Sequence, residues 1–305
     1  MVRESTVRPF TVQSEWCETI SAGPRVGEVI ACANQKGGVG KTTTVVSLAS
    51  YLAVEGHRVL LVDMDPQGNA TSGVGVDKDA VAASVYDILL GDIAIADALK
   101  PTSIDDLTLL PSNRSLAGAE VELVPHPGRE RRLKQVLNGV GERYDFILLD
   151  CPPSLGLLTV NALTAADSVL IPLQCEYYAL EGLSQLMATI ELIRDHLNPG
   201  LSLKGVVLTM HDGRTSLSAD VTAEVRRHLG SQVFDAVVPR SVRLAEAPSY
   251  GQPIARYSPG SRGALAYQAI TAELLARSGR QPGESLREAQ VRYQAPRTDH
   301  EMEAT

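Results

Sequence analysis

The chain has 305 residues, of which 44% are hydrophobic and 21% charged, and a net charge of −8. This composition indicates a globular protein with one large α/β domain or two smaller ones, and it argues against a uniformly basic nucleic-acid-binding protein. No apolar run approaches the roughly 18–20 residues that span a bilayer. The first 25 residues lack the continuous apolar stretch of a secretory signal.

The four cysteines lie far apart and form no CxxC pair. Cys32, Cys151 and Cys175 lie in or beside apolar runs, where a buried thiol behaves as a small hydrophobic side chain. We therefore expect reduced thiols in a cytoplasmic protein, not a disulfide framework or a metal centre.

From Gly27 onwards, apolar strands alternate with helices. The patterns predict strands at 28–34, 58–65, 145–150, 168–174, 203–210 and 233–239, and helices at 41–56, 180–197, 218–230 and 263–278. Near-continuous apolar strands that alternate with helices are typical of a parallel sheet covered on both faces. The predicted fold is α/β, with a mostly parallel sheet between two layers of helices.

The predicted domain spans residues 27–278. Residues 1–26 show no sustained periodicity, and we expect a flexible N-terminal extension there. Residues 279–305 are polar and interrupted by proline, and we expect a mobile tail.

A glycine-rich loop lies between the first predicted strand and the first predicted helix. Its sequence, "ANQKGGVGKTTT" (33–44), departs from the usual phosphate-binding loop, because Gln35 stands where the pattern has glycine and a second lysine, Lys36, follows. Glycines let the backbone approach phosphate oxygens, and the start of the following helix offers them free N–H groups. We therefore expect ATP to contact Gly37, Gly38, Val39, Gly40, Lys41, Thr42 and Thr43.

Acidic residues end two of the predicted strands. "VLLVDMDPQGNAT" places Asp63 and Asp65 at the carboxyl end of one strand, and "FILLDCPPS" places Asp150 at the end of another. Ligands of open parallel sheets bind outside these strand ends. We expect Asp150 to hold Mg²⁺ through water and the Thr42 hydroxyl to ligate it, with Asp63 as a further candidate ligand.

Several motifs together resemble the ParA/Soj family of partition ATPases. They are "KGGVGKTTT", "LLVDMDPQGNATSG", "DCPPSLGLLTVNAL", "QCEYYALEGLSQL" and "PRSVRLAEAPSYGQPI", and the resemblance covers about residues 27–278. Members of this family have the three-layer P-loop NTPase fold. MinD and the nitrogenase iron protein are more distant relatives in the same group, which carries the extra lysine.

The resemblance implies roles for individual residues. Lys36 would reach across a face-to-face homodimer to the partner's ATP, and Asp65 would position the attacking water. Asn161 would face the nucleotide, while Met210 and Pro239 would line the adenine. Catalysis would then depend on Lys36, Lys41 and Asp65.

An arginine-rich segment follows the nucleotide motifs. Residues 211–265 contain seven arginines, five acids and no lysine. The resemblance implies that the ATP dimer binds double-stranded DNA without sequence preference through Arg214, Arg227, Arg240, Arg243 and Arg262. It also implies a ParB/Spo0J-like partner that stimulates hydrolysis, and a cytoplasmic, nucleoid-associated protein.

Three other functions use a similar loop. A MinD-like switch that positions a membrane or protein cargo stays the main alternative. Its membrane form needs a basic amphipathic C-terminal helix, whereas residues 285–305 contain few large apolar side chains, a proline and late acids. The cysteines do not follow the cluster-ligand arrangement of the nitrogenase iron protein. The second lysine argues against a metabolic kinase.

Overall fold

Seven strands form one sheet in the part of the chain that the structure, a computed structural model, describes: residues 27–176 and 179–294. They are β1 (Glu28–Cys32), β2 (Val59–Asp63), β3 (Lys100–Pro101), β4 (Leu107–Leu110), β5 (Phe146–Asp150), β6 (Ser168–Gln174) and β7 (Ser202–Thr209). Their order is β3-β4-β2-β5-β1-β6-β7, and only β3 runs antiparallel to its neighbour. The prediction of a mostly parallel α/β sheet is confirmed.

Helices connect the strands and cover the sheet. They are α1 (Lys41–Val54), α2 (Asn69–Gly73), α3 (Val85–Leu90), α4 (Ile95–Ala98), α5 (Leu116–Glu122), α6 (Arg132–Asn138), α7 (Leu157–Ala165), α8 (Ala179–His196), α9 (Ser216–Leu229), α10 (Val242–Glu246), α11 (Ile254–Tyr257), α12 (Arg262–Arg277) and α13 (Glu284–Gln294). Short 3₁₀ helices complete the connections, among them Arg129–Arg131 and Ala247–Tyr250.

Two apolar clusters lie on opposite faces of the sheet. One contains buried side chains of α3 to α9, and the other contains those of α1, α2 and α10 to α13. Successive residues of β1 alternate between them: Ala31 belongs to the first cluster and Cys32 to the second, as the two-residue period of a strand requires. This alternation produces the predicted three layers. The three described cysteines are free and buried, as predicted.

The strand register brings the carboxyl ends of the central strands together. Asp150 at the end of β5 lies opposite Cys32 of β1 on one side and opposite Asp63 of β2 on the other. Because parallel strands end at the same edge, the phosphate loop after β1 and the acids after β2 and β5 share one end of the sheet.

Residues 233–239 do not form the predicted regular strand. The segment runs beside β7 and pairs with it only through isolated bridges, Val206 with Val233 and His211 with Pro239. Two further backbone hydrogen bonds, from Phe234 N to the Val206 carbonyl at 2.9 Å and from Val238 N to the Leu208 carbonyl at 2.8 Å, hold it there. The prediction was right about the neighbour of β7 and wrong about its regularity.

The prediction of a mobile tail from residue 279 is wrong for residues 284–294. These form α13, which packs against α12 and buries Leu286 and Ala289. Two apolar residues at i and i+3 suffice to dock one face of this otherwise polar helix. The expected N-terminal extension (1–26) and the last part of the expected tail (295–305) lie outside the described residues.

Candidate nucleotide-binding site

The phosphate loop is shaped by two glycines and anchored to the sheet. Gly38 and Gly40 have φ angles of 74° and 88°, in the left-handed region that favours glycine. The Thr209 hydroxyl at the end of β7 donates to the Val39 carbonyl at 2.8 Å. A Cβ on Gly40 would lie 3.9 Å from the Thr209 methyl group, so the backbone angle, not lack of space, requires glycine there.

The two lysines of the loop have different environments. Lys41 is buried in the first turn of α1, and its Nζ donates to the Lys36 carbonyl at 3.1 Å, across the loop. The Lys36 side chain is 47% exposed and forms an ion pair with Glu176, which is 45% exposed. Gly37, next to Lys36, is also exposed. The Lys41 ammonium group therefore lies inside its own loop, whereas the Lys36 side chain lies at the surface.

A buried asparagine that the sequence reasoning missed starts the loop. The Asn34 side-chain amide donates to the Pro172 carbonyl of β6 at 2.7 Å, and its Oδ1 accepts from Lys36 N at 3.0 Å. These bonds fix the backbone of Lys36 relative to the sheet. The signal was the position of an asparagine directly after an apolar strand, where a polar side chain can satisfy backbone groups of the turn.

Asp150 is a buried carboxylate without a hydrogen-bond partner. Both of its oxygens are inaccessible to solvent and unpaired. Burial and the nearby Asp63 raise the pKa of Asp150 well above its usual value, while Thr42 and Lys41 lower it. The Thr42 side chain lies close enough to Asp150 to lower its pKa, but it is not aligned for a hydrogen bond with either carboxylate oxygen. A buried acid left unpaired is costly unless a cation or another donor approaches it.

A hydrated Mg²⁺ would fit this end of the sheet. The ion binds hard oxygen ligands and keeps several waters, so one carboxylate, one hydroxyl and the phosphates of a nucleotide are sufficient for it. Asp150 offers two unpaired oxygens, and Thr42 lies beside it at the start of α1. The residues present therefore suit the ion that the sequence predicted.

Asp63 has a different role from the predicted metal ligand. Its Oδ2 accepts from Thr71 N at 2.8 Å and from the Thr71 hydroxyl at 2.7 Å, and its Oδ1 accepts from Asp65 N at 3.1 Å. Burial raises its pKa to about 6, and the bonds from Thr71 lower it. Because both oxygens are occupied by protein donors, the expectation of metal binding is corrected: Asp63 organises the turn that carries Asp65.

Asp65 lies in a tight turn after β2. Its Oδ1 accepts from Gln67 N at 2.9 Å, and its carbonyl accepts from the Ser112 hydroxyl at 2.7 Å. Ser112 N in turn donates to the Thr71 hydroxyl at 3.0 Å. The side chain of Asp65 is held at the same sheet edge as Asp150, in a turn fixed from three directions. The sequence reasoning missed Thr71 and Ser112.

Asn161 does not contact the nucleotide loop. Its Oδ1 accepts from Leu133 N at 3.1 Å, and its Nδ2 donates to the carbonyls of Arg129 and Leu157 at 2.8 and 3.0 Å. The side chain is fully buried in α7 and its hydrogen-bonding groups are in use. The expected nucleotide contact is therefore wrong, and the residue joins α7 to the segment before α6.

Met210 and Pro239 lie together beyond the end of β7. The bridge between His211 and Pro239 brings their segments side by side, and both residues are half-buried. Met210 has a φ of 52°, an unusual value for a residue with a side chain. The structure thus joins the two predicted adenine neighbours, on the β7 side of the phosphate loop.

A cavity of about 380 Å³ borders the start of α1. Its walls come from the phosphate-loop helix (Thr42, Thr43), from α2 and from residues 244–254. Thr43, one of the predicted nucleotide contacts, faces this cavity. The cavity therefore connects the nucleotide loop with the turn that follows Asp65 and with the arginine-rich segment.

The predicted DNA-binding arginines are all exposed, but they do not all lie together. Arg214 and Arg240 are neighbours, because Arg240 N donates to the His211 carbonyl at 3.0 Å and both arginines lower the pKa of Asp212. Arg243 follows in α10, and Arg262 begins α12. Arg227 lies near the other end of α9, about 17 Å along the helix axis from its first residue.

Comparisons with known proteins agree with the motifs. The model of a family described as "AAA domain" matches residues 27–203. The chain is 56% identical over 251 residues to the sporulation initiation inhibitor protein Soj of Bacillus subtilis, covering 82% of this chain and 99% of Soj. It is 54% identical over 252 residues to the chromosome partitioning protein ParA of Myxococcus xanthus, covering 83% of this chain and 89% of that protein.

A solved structure gives the same fold with a nucleotide and a metal. It is named cobyrinic acid a,c-diamide synthase from Mycobacterium smegmatis and contains ADP and magnesium. The similarity has a TM-score of 0.73 at 42% identity and covers 84% of this chain and 98% of that chain. The fold of this chain is thus also that of a protein crystallised with a nucleotide and a metal.

Proposed function

Because this chain belongs to the Soj/ParA family of chromosome-partitioning proteins, we propose that it is a partition ATPase that binds DNA as an ATP-dependent dimer. The observation that carries the proposal is the pair of unlike lysines in one phosphate loop. Lys41 is buried toward its own loop and Lys36 is exposed at the surface. Two phosphate-loop lysines with these positions suit a nucleotide shared between two subunits.

Different groups of the chain would bind the phosphates, the metal and the base of the nucleotide. The loop N–H groups and the N-terminus of α1 would bind the β-phosphate, and Lys41 would neutralise the β- and γ-phosphates. Asp150 and Thr42 would hold Mg²⁺, which supplies charge neutralisation between the phosphates when it is bound. Thr43 would contact the nucleotide next to Thr42, and Met210 and Pro239 would border the base.

Hydrolysis would depend on Asp65. The turn that Asp63, Thr71 and Ser112 fix holds the Asp65 carboxylate at the sheet edge where the γ-phosphate would lie. A carboxylate there can orient a water molecule for attack and accept its proton. Phosphoryl transfer needs positioning and charge stabilisation more than covalent catalysis, so few residues suffice.

Dimerisation would depend on Lys36. A nucleotide buried between two subunits retains negative charge that must be compensated. Lys36 lies at the surface and would leave its ion pair with Glu176 to reach the phosphates on the partner. Loss of the γ-phosphate would then remove the attraction, which makes the dimer reversible.

DNA would bind through the arginine-rich segment. Arg214, Arg240 and Arg243 present cations near one another, and phosphate contacts give affinity without sequence information. Two subunits double the contacts, so the dimer would bind far more tightly than the monomer. Arg262 and Arg227 would extend this surface. The protein would act in the cytoplasm on the nucleoid, with a ParB-like partner stimulating hydrolysis.

The alternative of a MinD-like membrane switch has less support in the described residues. Helix α13 turns Leu286 and Ala289 into the core. Its exposed side chains are mixed in charge and include one large apolar residue: Glu284, Ser285, Arg287, Glu288, Val291 and Arg292. A membrane-binding helix would instead expose an apolar face flanked by basic residues. Among the described residues, no helix is long and apolar enough to span a membrane.

The test is binding of the full chain to a non-specific DNA duplex without nucleotide, with ADP, and with ATP and Mg²⁺, at two salt concentrations. We expect binding with ATP and Mg²⁺ that weakens as salt rises and is lost in Arg243→Glu. Equal binding in all three nucleotide states would contradict the ATP-dependent dimer. Absence of binding in every state would contradict the role of DNA.

A further inference from the structure

Three of the proposed DNA-binding arginines are paired with a carboxylate two or three residues away. Arg214 forms a two-bond pair with Asp212, from Nε to Oδ1 at 2.9 Å and from Nη2 to Oδ2 at 2.8 Å. Arg243 Nη1 lies 3.1 Å from Glu246 Oε2, and Arg227 Nε lies 3.2 Å from Glu224 Oε2. The same arrangement therefore recurs on a loop, on α10 and on α9.

Two of these pairs lie in the part of the surface where the arginines gather. Asp212 is bordered by Arg214 and also by Arg240, and hydrogen bonds from Arg214 lower its pKa most strongly. Glu246 accepts from Arg243 and, at 3.0 Å, from the Tyr257 hydroxyl. Each acid therefore lies where a DNA phosphate would have to approach its arginine.

A phosphate that binds a paired arginine must displace the carboxylate. An unpaired arginine releases condensed cations from DNA when it neutralises a phosphate, and this release drives the affinity. A paired arginine brings its own negative charge to the interface, which repels the phosphate and offsets part of that gain. The pair must break or rearrange before a two-bond contact to phosphate can form.

We propose that Asp212 and Glu246 are built-in counter-ions that weaken each subunit's hold on DNA, so that stable binding needs two subunits. The inference rests on the proposed function, because it assigns a regulatory role to acids within the proposed DNA surface. On this account, DNA binding depends on ATP partly because of the surface charges. A single subunit, whose arginines are paired with acids, binds DNA too weakly to stay bound, whereas the ATP dimer has twice the contacts and stays bound.

Amide substitutions test the counter-ions while preserving the local structure. Asp212→Asn keeps an acceptor for Arg214 N, which donates to Oδ1 at 3.1 Å, and Glu246→Gln keeps an acceptor for Tyr257. Exposed ion pairs contribute little, so we expect each variant to tighten DNA binding roughly 2- to 5-fold per subunit. The ATP dimer carries two copies, so its affinity should rise roughly 4- to 25-fold.

The matched control is Glu130→Gln. Glu130 also pairs with an arginine, Arg129, at 2.9 Å, in the 3₁₀ helix that packs against α6 and α7. The substitution removes the same charge from the same kind of pair on a different part of the surface. If the proposal is right, Asp212→Asn and Glu246→Gln steepen the dependence of log affinity on log salt, by up to about one unit per added phosphate contact, whereas Glu130→Gln changes neither affinity nor slope.

A double-mutant cycle shows whether Glu246 acts through Arg243. Glu246→Gln should tighten binding in the wild-type background and give no gain when Arg243→Ala is already present. The proposal is overturned if the amide variants bind no more tightly than Glu130→Gln, or if the gain persists without Arg243. A wild-type protein that binds no DNA with ATP overturns the proposed function itself, and so separates that failure from this one.

Discussion

The Thr71 hydroxyl and the Asp63 carboxylate form the central contact of the turn that carries Asp65. The hydroxyl donates to Asp63 Oδ2 at 2.7 Å and at the same time accepts from Ser112 N at 3.0 Å. One side chain thus joins β2, α2 and the loop after β4. Because Asp63 is fully buried, its oxygens cannot exchange these donors for water.

Replacing Thr71 with valine should loosen this turn. The change keeps the shape of the side chain and leaves a buried carboxylate oxygen and the Ser112 N–H short of a partner, so we expect the free energy of unfolding to fall by about 1–3 kcal/mol. ATP hydrolysis should fall further than ATP binding, because the turn positions Asp65. Denaturant unfolding and phosphate release measure the two effects. Thr71→Ser keeps the hydroxyl and serves as the control; equal losses in both variants would contradict the role of the hydroxyl.

Substitution of Asp65 should separate hydrolysis from binding. Asp65→Ala removes the carboxylate that would orient water, so we expect hydrolysis to fall about 10²- to 10⁴-fold, while the ATP dimer persists on DNA. Asp65→Asn retains an acceptor for Gln67 N and preserves the turn, and it should lose hydrolysis as well. Single-turnover phosphate release and the lifetime of DNA-bound protein give the result. Rapid hydrolysis by Asp65→Asn would show that ATP hydrolysis requires the shape of the turn and not the Asp65 carboxylate.

The sequence predicts this site only as far as local chemistry determines it. The phosphate loop and the strands ending at Asp63 and Asp150 were predictable, because buried parallel strands are continuous apolar runs and the loop has its own glycine pattern. The role of Asp63 was not predictable, since its partner Thr71 belongs to the next helix, and Ser112, which binds Thr71, lies 41 residues beyond Thr71. A carboxylate that binds protein donors and one that awaits a metal look alike in the sequence.

The errors elsewhere have the same origin in tertiary contacts. Asn161 lies within a nucleotide-related motif, yet backbone groups of residues 129–133 approach it and form hydrogen bonds with its side chain. Helix α13 has too few apolar residues to be predicted alone, and the surface of α12 supplies the packing that stabilises it. Residues 233–239 were predicted as a strand because they are mostly apolar. At the edge of the sheet they form only some of the hydrogen bonds of a regular strand with β7.

Lys36→Ala should abolish ATP-dependent dimers while nucleotide binding to the monomer persists. The variant would leave the partner's phosphates without a buried cation, which costs about 2–5 kcal/mol at an interface. Sedimentation with ATP measures the dimer, with Lys36→Ala compared in a chain that also carries Asp65→Ala so that ATP is not turned over. Glu176→Gln is the control, since it frees Lys36 from its ion pair without removing it. Wild-type dimerisation by Lys36→Ala would refute the role assigned to the second lysine.

Asp150→Asn should have opposite effects on the free and the nucleotide-bound protein. The substitution replaces a buried carboxylate that has no hydrogen-bond partner, so the nucleotide-free protein should melt at a higher temperature. It also removes a ligand of Mg²⁺, so the rise in melting temperature that Mg²⁺ and ATP give the wild type should largely disappear. Thermal unfolding with EDTA, with ATP alone and with both ligands tests the two effects together. A variant that is less stable than the wild type without ligand, or one that keeps the full Mg²⁺-dependent rise, would contradict this account of Asp150.

Tyr293 on α13 supports the irregular segment beside β7. Its hydroxyl accepts from Val237 N at 2.8 Å and donates to the Val237 carbonyl at 2.6 Å, so one side chain satisfies both backbone groups of a residue at the sheet edge. Tyr293→Phe removes both bonds and should lower the free energy of unfolding by about 1–3 kcal/mol.

The position of Val237 links this contact to the proposed DNA surface. It lies two residues before Pro239 and three before Arg240, so loosening the segment should weaken ATP-dependent DNA binding more than ATP binding. Hydrogen exchange at residues 233–240, together with the two binding constants, measures the effect. Tyr250→Phe, an exposed tyrosine on the 3₁₀ helix Ala247–Tyr250, is the control for loss of a hydroxyl. Unchanged exchange in Tyr293→Phe would show that the Tyr293 hydroxyl does not hold the segment.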